Sequence, residues 1–413
     1  MTQHVAVIGA GIVGVSTGIW LRRAGFDVTL IDRAGPGKGT SHGNAGILAA
    51  CAMVPVTSPG LIRKAPGMLV SSDFPLFLRW TYLPKLAPWL VKYLANANDS
   101  DTRRIAAGIA PIVTDSVSQH KALTGDIGLG HWVTESDYCF GYRDRAAFDA
   151  ESYTWGLRRE AGFEPELIEG DDVREYEPNV SQQISCVAVV RDHGFIRDPG
   201  GYVGALAAAF EASGGKIVIA DVKDFDLSGG KISAVETSEG RIGCDKAVLA
   251  TGVWSKPLMR KLGLNVPLES ERGYHIVFEA AENGPTRPMM IASGKFVATP
   301  MAQGVRCAGV VELGGLGAGP SKAPLKMLRR QAKAAFPRMT ATQEIEWLGH
   351  RPAPSDSLPL IGQIGKTGVW TGFGHHHIGL TGGPKTGRLL AGLISGQPTN
   401  MDMAPYAPER FRN

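Results

Sequence analysis

The chain has 413 residues, of which 44% are hydrophobic and 20% charged, and its formal net charge is +4. A chain of this length has room for two lobes, and its composition is that of an ordinary soluble globular protein. Lysines and arginines are not gathered into one tract, so no nucleic-acid partner is predicted. Five cysteines are scattered without a C-x-x-C spacing, which argues against a disulfide framework and a zinc site and is typical of a reducing compartment.

The N-terminal segment predicts a strand, a tight turn and a helix. Residues 5–8 form an uncharged, mostly β-branched run, and residues 12–24 have the composition of a helix. Between them Gly9, Gly11 and Gly14 give the spacing G-x-G-x-x-G, which suits a tight turn, a backbone close to a pyrophosphate and close helix packing. The segment therefore predicts a site for a dinucleotide, either FAD or NAD.

A second apolar run ends in Asp32, about 20 residues after the glycines, where an acidic side chain accepts hydrogen bonds from ribose hydroxyls. The loop at 35–46 follows and is rich in glycine and hydroxyl residues. Such a composition suits a backbone that wraps a ligand, with a plain solvent loop as the alternative.

No signal peptide precedes the first strand, and no uncharged apolar stretch reaches 18 residues. The most apolar region, residues 74–94, contains three prolines and three cations. We expect a helix packed on the protein there, with an element lying on a membrane surface as the alternative. A cytoplasmic location is predicted, with peripheral attachment to the inner face of the plasma membrane as an alternative.

The middle of the chain alternates between predicted helices and strands. Helices are expected at 102–123, capped by Asp99, Ser100 or Asp101, and at 144–161, 198–213 and 326–336. Strands are expected at 131–142, 186–190, 216–220, 231–237, 247–249, 275–278 and 296–299.

The C-terminal part carries two motif-like segments before a closing helix. The first is Gly349-His350-Arg351-Pro352, with Asp356 and a Pro359 to Gly362 segment after it. The second, residues 372–384, contains three consecutive histidines. A strand at 369–370 and a helix at 385–395 frame this second segment.

Together these motifs resemble the FAD-dependent D-amino-acid oxidase-like flavoproteins, most closely the bacterial D-amino-acid dehydrogenase type. The matches come in family order along most of the chain. The resemblance implies an α/β, Rossmann-like FAD-binding domain with an inserted α+β substrate domain built on an antiparallel sheet. The expected FAD-binding domain comprises residues 1–75, 195–262 and 345–413, and the expected substrate domain comprises 76–194 and 263–344.

The resemblance also implies which residues hold FAD. They are Gly9, Gly11, Ile12, Val13, Gly14, Asp32, Arg33, Thr40, Ser41, Asn44, Ala45, Gly46, Val222, Ala250, Thr251, Gly252, Gly379, Leu380 and Thr381. The N–H groups of Gly379 to Thr381 precede the closing helix and are expected at the pyrimidine end of the flavin, where negative charge builds on reduction. Some relatives tether the flavin to a cysteine, but Cys244 and Cys307 do not match that motif, so non-covalent FAD is expected.

Arg351 is the expected anchor of a substrate carboxylate, because a planar guanidinium binds a carboxylate through two parallel hydrogen bonds. A structural arginine in an ion pair is the alternative. Tyr274, His375 and His376 are candidate substrate contacts, with core packing as the alternative for Tyr274. No metal site is predicted, because the histidines lack further ligands at a suitable spacing.

The implied reaction is oxidative deamination of a D-amino acid to a 2-oxo acid, by hydride transfer from the α-carbon to flavin N5. The electrons then pass to a quinone, an artificial acceptor or oxygen, and a quinone acceptor would give the 74–94 region a reason to touch a membrane. Three alternatives stay open: a flavoenzyme acting on a secondary amine such as sarcosine or proline, on glycine, or on a 2-hydroxy acid; a non-catalytic flavin-binding protein; and an NAD-dependent dehydrogenase.

Overall fold

The structure is a computed structural model that describes residues 2–63, 67 and 76–412. Residues 74 and 75, the first two of the apolar 74–94 region, therefore lie outside the described residues. The remaining predicted elements all fall within them.

The strands, in chain order, are β1 (His4–Ile8), β2 (Asp27–Asp32), β3 (Ile47–Leu48), β4 (Leu76–Leu78), β5 (Thr134–Tyr142), β6 (Glu166–Glu169), β7 (Cys186–Phe195), β8 (Lys216–Ile219), β9 (Val222–Ser228), β10 (Lys231–Thr237), β11 (Gly240–Gly243), β12 (Lys246–Leu249), β13 (Leu268–Glu279), β14 (Met289–Ile291), β15 (Phe296–Met301), β16 (Gly304–Leu313), β17 (Gln343–Pro354), β18 (Leu360–Gln363) and β19 (Val369–Phe373). The helices are α1 (Ile12–Arg23), α2 (Leu83–Ala95), α3 (Asp99–Val113), α4 (Ser116–Thr124), α5 (Arg145–Asp149), α6 (Ser152–Glu160), α7 (Asp172–Tyr176), α8 (Pro199–Ala212), α9 (Ser255–Lys261), α10 (Lys322–Ala335) and α11 (Gly379–Ile394). A turn of 3-10 helix at His376–Ile378 leads directly into α11.

A six-stranded sheet in the order β18-β19-β12-β1-β2-β8 forms the first layer. Its strands β1, β2, β8, β12 and β19 are parallel, as expected for short, uncharged runs that are buried on both faces. Helices α1, α8 and α11 cover one face of this sheet. The small antiparallel sheet β9-β10-β11 and helix α9 cover the other. This arrangement is the Rossmann-like part of the fold.

A mostly antiparallel sheet in the order β17-β13-β16-β15-β14-β5-β7-β3 forms the second layer. One of its faces packs on α10 in a separate apolar core. Residues of the other face line a large internal cavity that also reaches the carboxyl ends of β1, β2 and β12. The two sheets therefore face a shared space, and the functional site lies there.

The predicted domain boundary at residue 345 falls within a strand of the large sheet. Strand β17 pairs with β13 without interruption, from Leu268 opposite Pro354 to Glu279 opposite Gln343. Residues 345–354 therefore belong to the large sheet, although the predicted division places them in the FAD-binding domain. Strand β3 likewise pairs with β7. Both strands connect the two lobes, so sequence position alone does not separate them.

Two helices differ from their predicted bounds for identifiable reasons. The expected helix at 102–123 is divided into α3 and α4, and the cap of α3 is Asn98, whose side chain accepts a hydrogen bond from the Asp101 N–H. Helix α11 begins at Gly379 and continues through Pro384. Proline has no N–H for the Leu380 carbonyl, and that oxygen instead lies 2.9 Å from Nε2 of His120.

The amphipathic helix α2 packs on the rest of the protein. It buries Leu86, Trp89 and Tyr93 in a small core that includes Leu313 and Ala353. Its outer side leaves Val91 70% exposed, and the preceding turn leaves Trp80 64% exposed. Among the helices of the described residues, none has the length and apolar character needed to cross a membrane.

Candidate active site

The turn after β1 is built by close backbone contacts. Gly9 has φ of +101°, and a Cβ there would lie 2.6 Å from the Ala250 carbonyl oxygen. A Cβ on Gly14 would lie 1.8 Å from the Gly9 oxygen, so only glycine lets α1 approach the turn this closely. Gly14 does not line the cavity, and its role is packing. The first turn of α1 thus opens onto the cavity with its N–H groups and the positive end of its dipole.

Asp32 ends β2 and orders the same turn. One carboxylate oxygen accepts the Ala10 N–H at 2.9 Å, and the other accepts the N–H groups of Ala34 and Gly35 at 2.8 and 3.0 Å. Each oxygen has further acceptor capacity on the cavity side. The carboxylate is therefore held rigidly at the edge of the cavity.

The loop that contains residues 40–46 is held by its own polar side chains. The Ser41 hydroxyl accepts the first N–H of α1, from Ile12, at 3.0 Å. Thr40 donates to the His350 carbonyl at 2.8 Å, and the Asn44 amide bridges Ser41 and Gly46 within the loop. These bonds leave a preorganised wall of backbone along one side of the cavity.

The far end of the cavity is lined by Val222 and by the segment that follows β12. Residues 250–252 line the cavity beside the glycine turn, and the Ala250 N–H donates to Ile8 at 2.8 Å. The Arg33 guanidinium lies 4.2 Å from the ring centroid of Trp254, a cation–π contact that fixes both side chains at this end.

The N-terminus of α11 faces the opposite end of the cavity. Gly379, Leu380 and Thr381 all line it. The Thr381 hydroxyl donates to the Ile47 carbonyl at 3.2 Å, and its own carbonyl accepts from Ser116 at 2.8 Å. The helix start is thereby fixed between β3 and α4, with free N–H groups toward the cavity.

The cavity measures about 850 Å³ and connects all of these segments. Every residue expected to hold FAD lines it, except Gly14. The donors suit FAD: a helix N-terminus and bare glycine backbone for the pyrophosphate, a fixed carboxylate for the ribose, and a second helix N-terminus for the charge of the flavin. Cys244 and Cys307 are not among the lining residues that the structure describes.

Arg351 reaches the cavity from β17 across the neighbouring strand. Its Nη1 donates to the Val310 carbonyl of β16 at 3.3 Å. The guanidinium lies flat over Gly273 of β13, where a Cβ would be 2.7 Å from Cζ of Arg351. Burial lowers the pKa of Arg351, although Glu271 opposes that shift. A half-buried guanidinium with one hydrogen bond to the described residues is a ready partner for a carboxylate.

Glu271 is a site residue that sequence reasoning missed. It lies directly opposite Arg351 in the β13–β17 ladder, and its carboxylate is 3.6 Å from Nδ1 of His376. Burial alone would raise the pKa of Glu271, but His376, Arg351 and His377 outweigh it and lower the pKa to about 2. Burial and the Glu271 charge in turn raise the pKa of Tyr93. The site therefore contains a permanently ionised carboxylate beside its arginine.

The three histidines occupy different environments. Nε2 of His375 lies 2.9 Å from the Thr386 hydroxyl, and burial lowers its pKa to about 4. His376 has φ of +46° and contacts the Pro354 carbonyl. His377 lines the cavity, and desolvation, together with His376 and Arg351, lowers its pKa to about 4. All three line the cavity, and the buried His375 is neutral near pH 7.

The phenol of Tyr274 does not reach the substrate region. Successive side chains of a strand point to opposite faces, and Tyr274 belongs to the core beneath the sheet. Its hydroxyl donates to Glu312 at 2.6 Å and accepts from the Ser321 N–H at 3.0 Å. The Tyr274 side chain therefore packs in the core, although the residue also lines the cavity.

The sequence carries little signal for the role of Glu271. Glu271 lies in an ordinary polar stretch, and its function depends on the strand register that places it beside Arg351. Its position could have been found only by pairing the 268–279 and 343–354 strands. In the part of the chain that the structure describes, no group of three His, Cys, Asp or Glu side chains is arranged to hold a metal ion.

Taken together, a Rossmann-like sheet, a large cavity with two helix N-termini and a half-buried arginine over a second sheet define the class of flavin-dependent oxidoreductases. Residues 4–393 match the family described as FAD dependent oxidoreductase, the DAO family. The chain belongs to this family, and FAD is its cofactor.

Individual proteins agree with this assignment. The chain is 39% identical to the D-amino-acid oxidase of Bradyrhizobium diazoefficiens, with 99% of both chains covered. It is 30% identical to D-amino acid dehydrogenase 2 of Pseudomonas aeruginosa, again with 99% of both chains covered. Among solved structures it is similar to glycine oxidase from Geobacillus kaustophilus, with a TM-score of 0.75, 19% identity and 99% of both chains covered. The similarity to glycine oxidase supports the fold assignment.

Proposed function

We propose that this protein oxidises D-amino acids to 2-oxo acids and ammonia. The observation that carries the proposal is the half-buried Arg351 guanidinium, held over Gly273 on the sheet that closes the FAD cavity. The names of the two relatives, an oxidase and a dehydrogenase of D-amino acids, support the same substrate class.

Each group of the site has a task in this reaction. Arg351 binds the α-carboxylate and so fixes the position of the α-carbon and its hydrogen. Bound FAD supplies the acceptor for the hydride that leaves the α-carbon. The nitrogen loses a proton, and water then hydrolyses the resulting imino acid to the 2-oxo acid and ammonia. The α11 N-terminus stabilises the negative charge that develops at the cofactor.

We propose that the lining residues named above hold FAD without a covalent bond. The experiment is an anaerobic visible spectrum of the purified protein, recorded before and after addition of D-amino acids, L-amino acids, secondary amino acids and 2-hydroxy acids. Reduction by D-amino acids alone is the expected result, and admission of air then separates an oxidase from a dehydrogenase. Reduction only by secondary amines or 2-hydroxy acids would transfer the proposal to those classes, and no reduction at all would refute it.

Arg351→Lys and Arg351→Ala test the carboxylate anchor. We expect KM to rise about 100-fold or more in the alanine variant, because a charge-assisted pair is lost, and less in the lysine variant. Arg159→Gln on α6 is the control, because Arg159 forms its ion pair with Glu164 at the exterior. An unchanged KM in Arg351→Ala would remove this arginine from the binding site.

We further propose that the exposed side of α2 is a peripheral membrane contact when a quinone is the electron acceptor. Trp80 and Val91 are exposed beside Lys85 and Lys92, an apolar and cationic combination that suits an anionic membrane surface. Trp80→Ser with Val91→Ser should reduce sedimentation with anionic vesicles and leave flavin reduction unchanged. Equal sedimentation of both proteins would contradict this proposal.

A further inference from the structure

Two opposite charges share one face of the β13–β17 strand pair. Glu271 lies directly opposite Arg351 in the ladder, so both side chains leave the sheet on the same side, and both residues line the cavity. The Arg351 guanidinium lies over Gly273, the next residue of β13 on that face. The cavity wall therefore presents a carboxylate and a guanidinium from neighbouring strands.

The two charges have separate partners. Nη1 of Arg351 donates to the Val310 carbonyl at 3.3 Å. The Glu271 carboxylate lies 3.6 Å from Nδ1 of His376. Within the described part of the chain, no ion pair of 4 Å or less joins Glu271 to Arg351. Each charge therefore remains available to a ligand that enters the cavity.

Glu271 keeps acceptor capacity beside His376. Nε2 of His376 lies 3.2 Å from the Pro354 carbonyl, which can only accept, so Nε2 carries a proton. Nδ1 then has a proton for Glu271 only when the ring is an imidazolium. Even with that bond, a carboxylate has about four acceptor positions. Glu271 therefore has positions left for the N–H donors of a ligand.

The groups that face Glu271 come from three elements. They are Arg351 of β17, His376 and His377 of the turn before α11, and Tyr93 of α2. Burial alone would raise the pKa of Glu271, but the two histidines and the arginine lower it. Burial and the Glu271 charge raise the pKa of Tyr93 well above its ordinary value, so this phenol stays neutral. A buried, ionised carboxylate in such surroundings is stabilised further by a cationic ligand.

An α-amino acid has the complementary pair of charges. Its nitrogen and its carboxylate carbon are bonded to the same α-carbon, so the ammonium and the carboxylate meet neighbouring groups of the protein together. A 2-hydroxy acid has the carboxylate but no charge at the second position. A buried carboxylate discriminates between these two classes, because a buried charge without a partner costs free energy.

We propose that Glu271 binds the substrate nitrogen while Arg351 binds the α-carboxylate, so that this site selects amino acids over 2-hydroxy acids. This inference rests on the proposed function. The nitrogen arrives as an ammonium group, and its proton passes to solvent before the reaction. The α C–H bond then breaks, its electron pair leaves with the hydrogen as hydride to bound FAD, and the nitrogen lone pair forms the C=N bond of an iminium ion. The carboxylate of Glu271 stabilises the nitrogen in both cationic forms.

The test measures two ligands on the holoenzyme of the Glu271→Gln variant. D-alanine carries the nitrogen, and propanoate is the same molecule without it. We expect kcat/KM for D-alanine in anaerobic flavin reduction to fall about 100-fold, chiefly through KM, because a charge-assisted contact is lost. The dissociation constant of propanoate, read from the flavin spectrum, should change less than about threefold or decrease, because a negative charge near the carboxylate is removed. A purely structural role of Glu271 would weaken both ligands.

Glu269→Gln is the matched control. Glu269 lies two residues earlier on the same face of β13 and is also buried, but its carboxylate accepts from the Tyr82 hydroxyl at 3.1 Å. It is not among the cavity-lining residues that the structure describes. Both measurements should stay near wild type in this variant. Glu271→Asp keeps the charge and should lose less activity on D-alanine than Glu271→Gln.

A measurement on the wild type keeps the proposal falsifiable if Glu271→Gln loses FAD. The wild-type kcat/KM for D-alanine should exceed that for D-lactate, which has a hydroxyl in place of the nitrogen, about 100-fold or more. Equal values for these two substrates, or an equal loss of D-alanine and propanoate in Glu271→Gln, would overturn the assignment. If D-amino acids reduce the flavin equally well in wild type and Glu271→Gln, only this inference fails. If no D-amino acid reduces it, the proposed function fails, and binding of D-alanine against propanoate in the two proteins still decides whether Glu271 holds a nitrogen.

Discussion

Replacement of Gly273 by alanine is expected to displace the carboxylate anchor without unfolding the protein. The new Cβ would lie 2.7 Å from Cζ of Arg351 and 2.8 and 2.9 Å from its two terminal nitrogens. Ordinary contacts between such atoms are about 3.5–4.0 Å, so the guanidinium must withdraw by about 1 Å. A misplacement of this size costs about 100-fold in reactivity. We expect most of that loss as a higher KM for D-amino acids, because the proposed role of Arg351 is to bind the carboxylate in the ground state.

The assay is the rate of anaerobic flavin reduction against D-amino acid concentration, with thermal unfolding measured in parallel. Gly273 is not among the positive-φ residues, so alanine fits the backbone, and the midpoint of unfolding should change little. Gly243→Ala is the matched control, because Gly243 is also a strand glycine and the nearest atom to its added Cβ is 3.8 Å away. An unchanged KM in Gly273→Ala would refute the idea that this glycine sets the position of Arg351.

Two further predictions concern the cofactor site and its pH dependence. Asp32→Ala should raise the dissociation constant of FAD at least about tenfold, seen as release of fluorescent FAD, because three backbone N–H groups and the ribose lose a charged acceptor; retention of wild-type affinity would contradict this role. Burial lowers the pKa of His120 to about 4 in the folded protein. As pH falls, His120 is therefore protonated in the unfolded chain, near pH 6.5, before it is protonated in the folded protein. The free energy of unfolding consequently falls by about 3 kcal/mol between about pH 6.5 and 4. His120→Gln should therefore show a shallower loss of stability over that range in chemical unfolding, and an identical slope would exclude His120 as its source.

The sequence was sufficient to predict the parts of the site that local geometry builds. The glycine spacing and Asp32 specify a strand, a turn and a helix within about 30 residues, and the structure places all of them at one cavity. The Asn44 side chain likewise bridges Ser41 and Gly46 within the loop at 40–46, although most other hydrogen bonds of that loop come from distant residues. Such features are encoded by neighbouring residues, so their motifs are visible in a single chain.

Helix α11 shows where local rules give an incomplete answer. Glycines and Pro384 predict a loop before residue 385, but the structure continues the helix back to Gly379. The His120 ring reaches the carbonyl that the proline cannot satisfy, from a helix about 260 residues away in sequence. A long-range contact thus overrides a local preference, and no pattern within the segment reports it.

What the sequence by itself determined is the class of protein, the cofactor and the identity of Arg351 as the anchor candidate. What only the tertiary structure decided is the surroundings of that anchor: Gly273 beneath it and Glu271 beside it. Strand alternation also turns the phenol of Tyr274 to the opposite face, into the core beneath the sheet. The physical reason is common to these three strand residues. Their positions depend on strand pairing between distant segments, and pairing register is set by the whole sheet rather than by any motif.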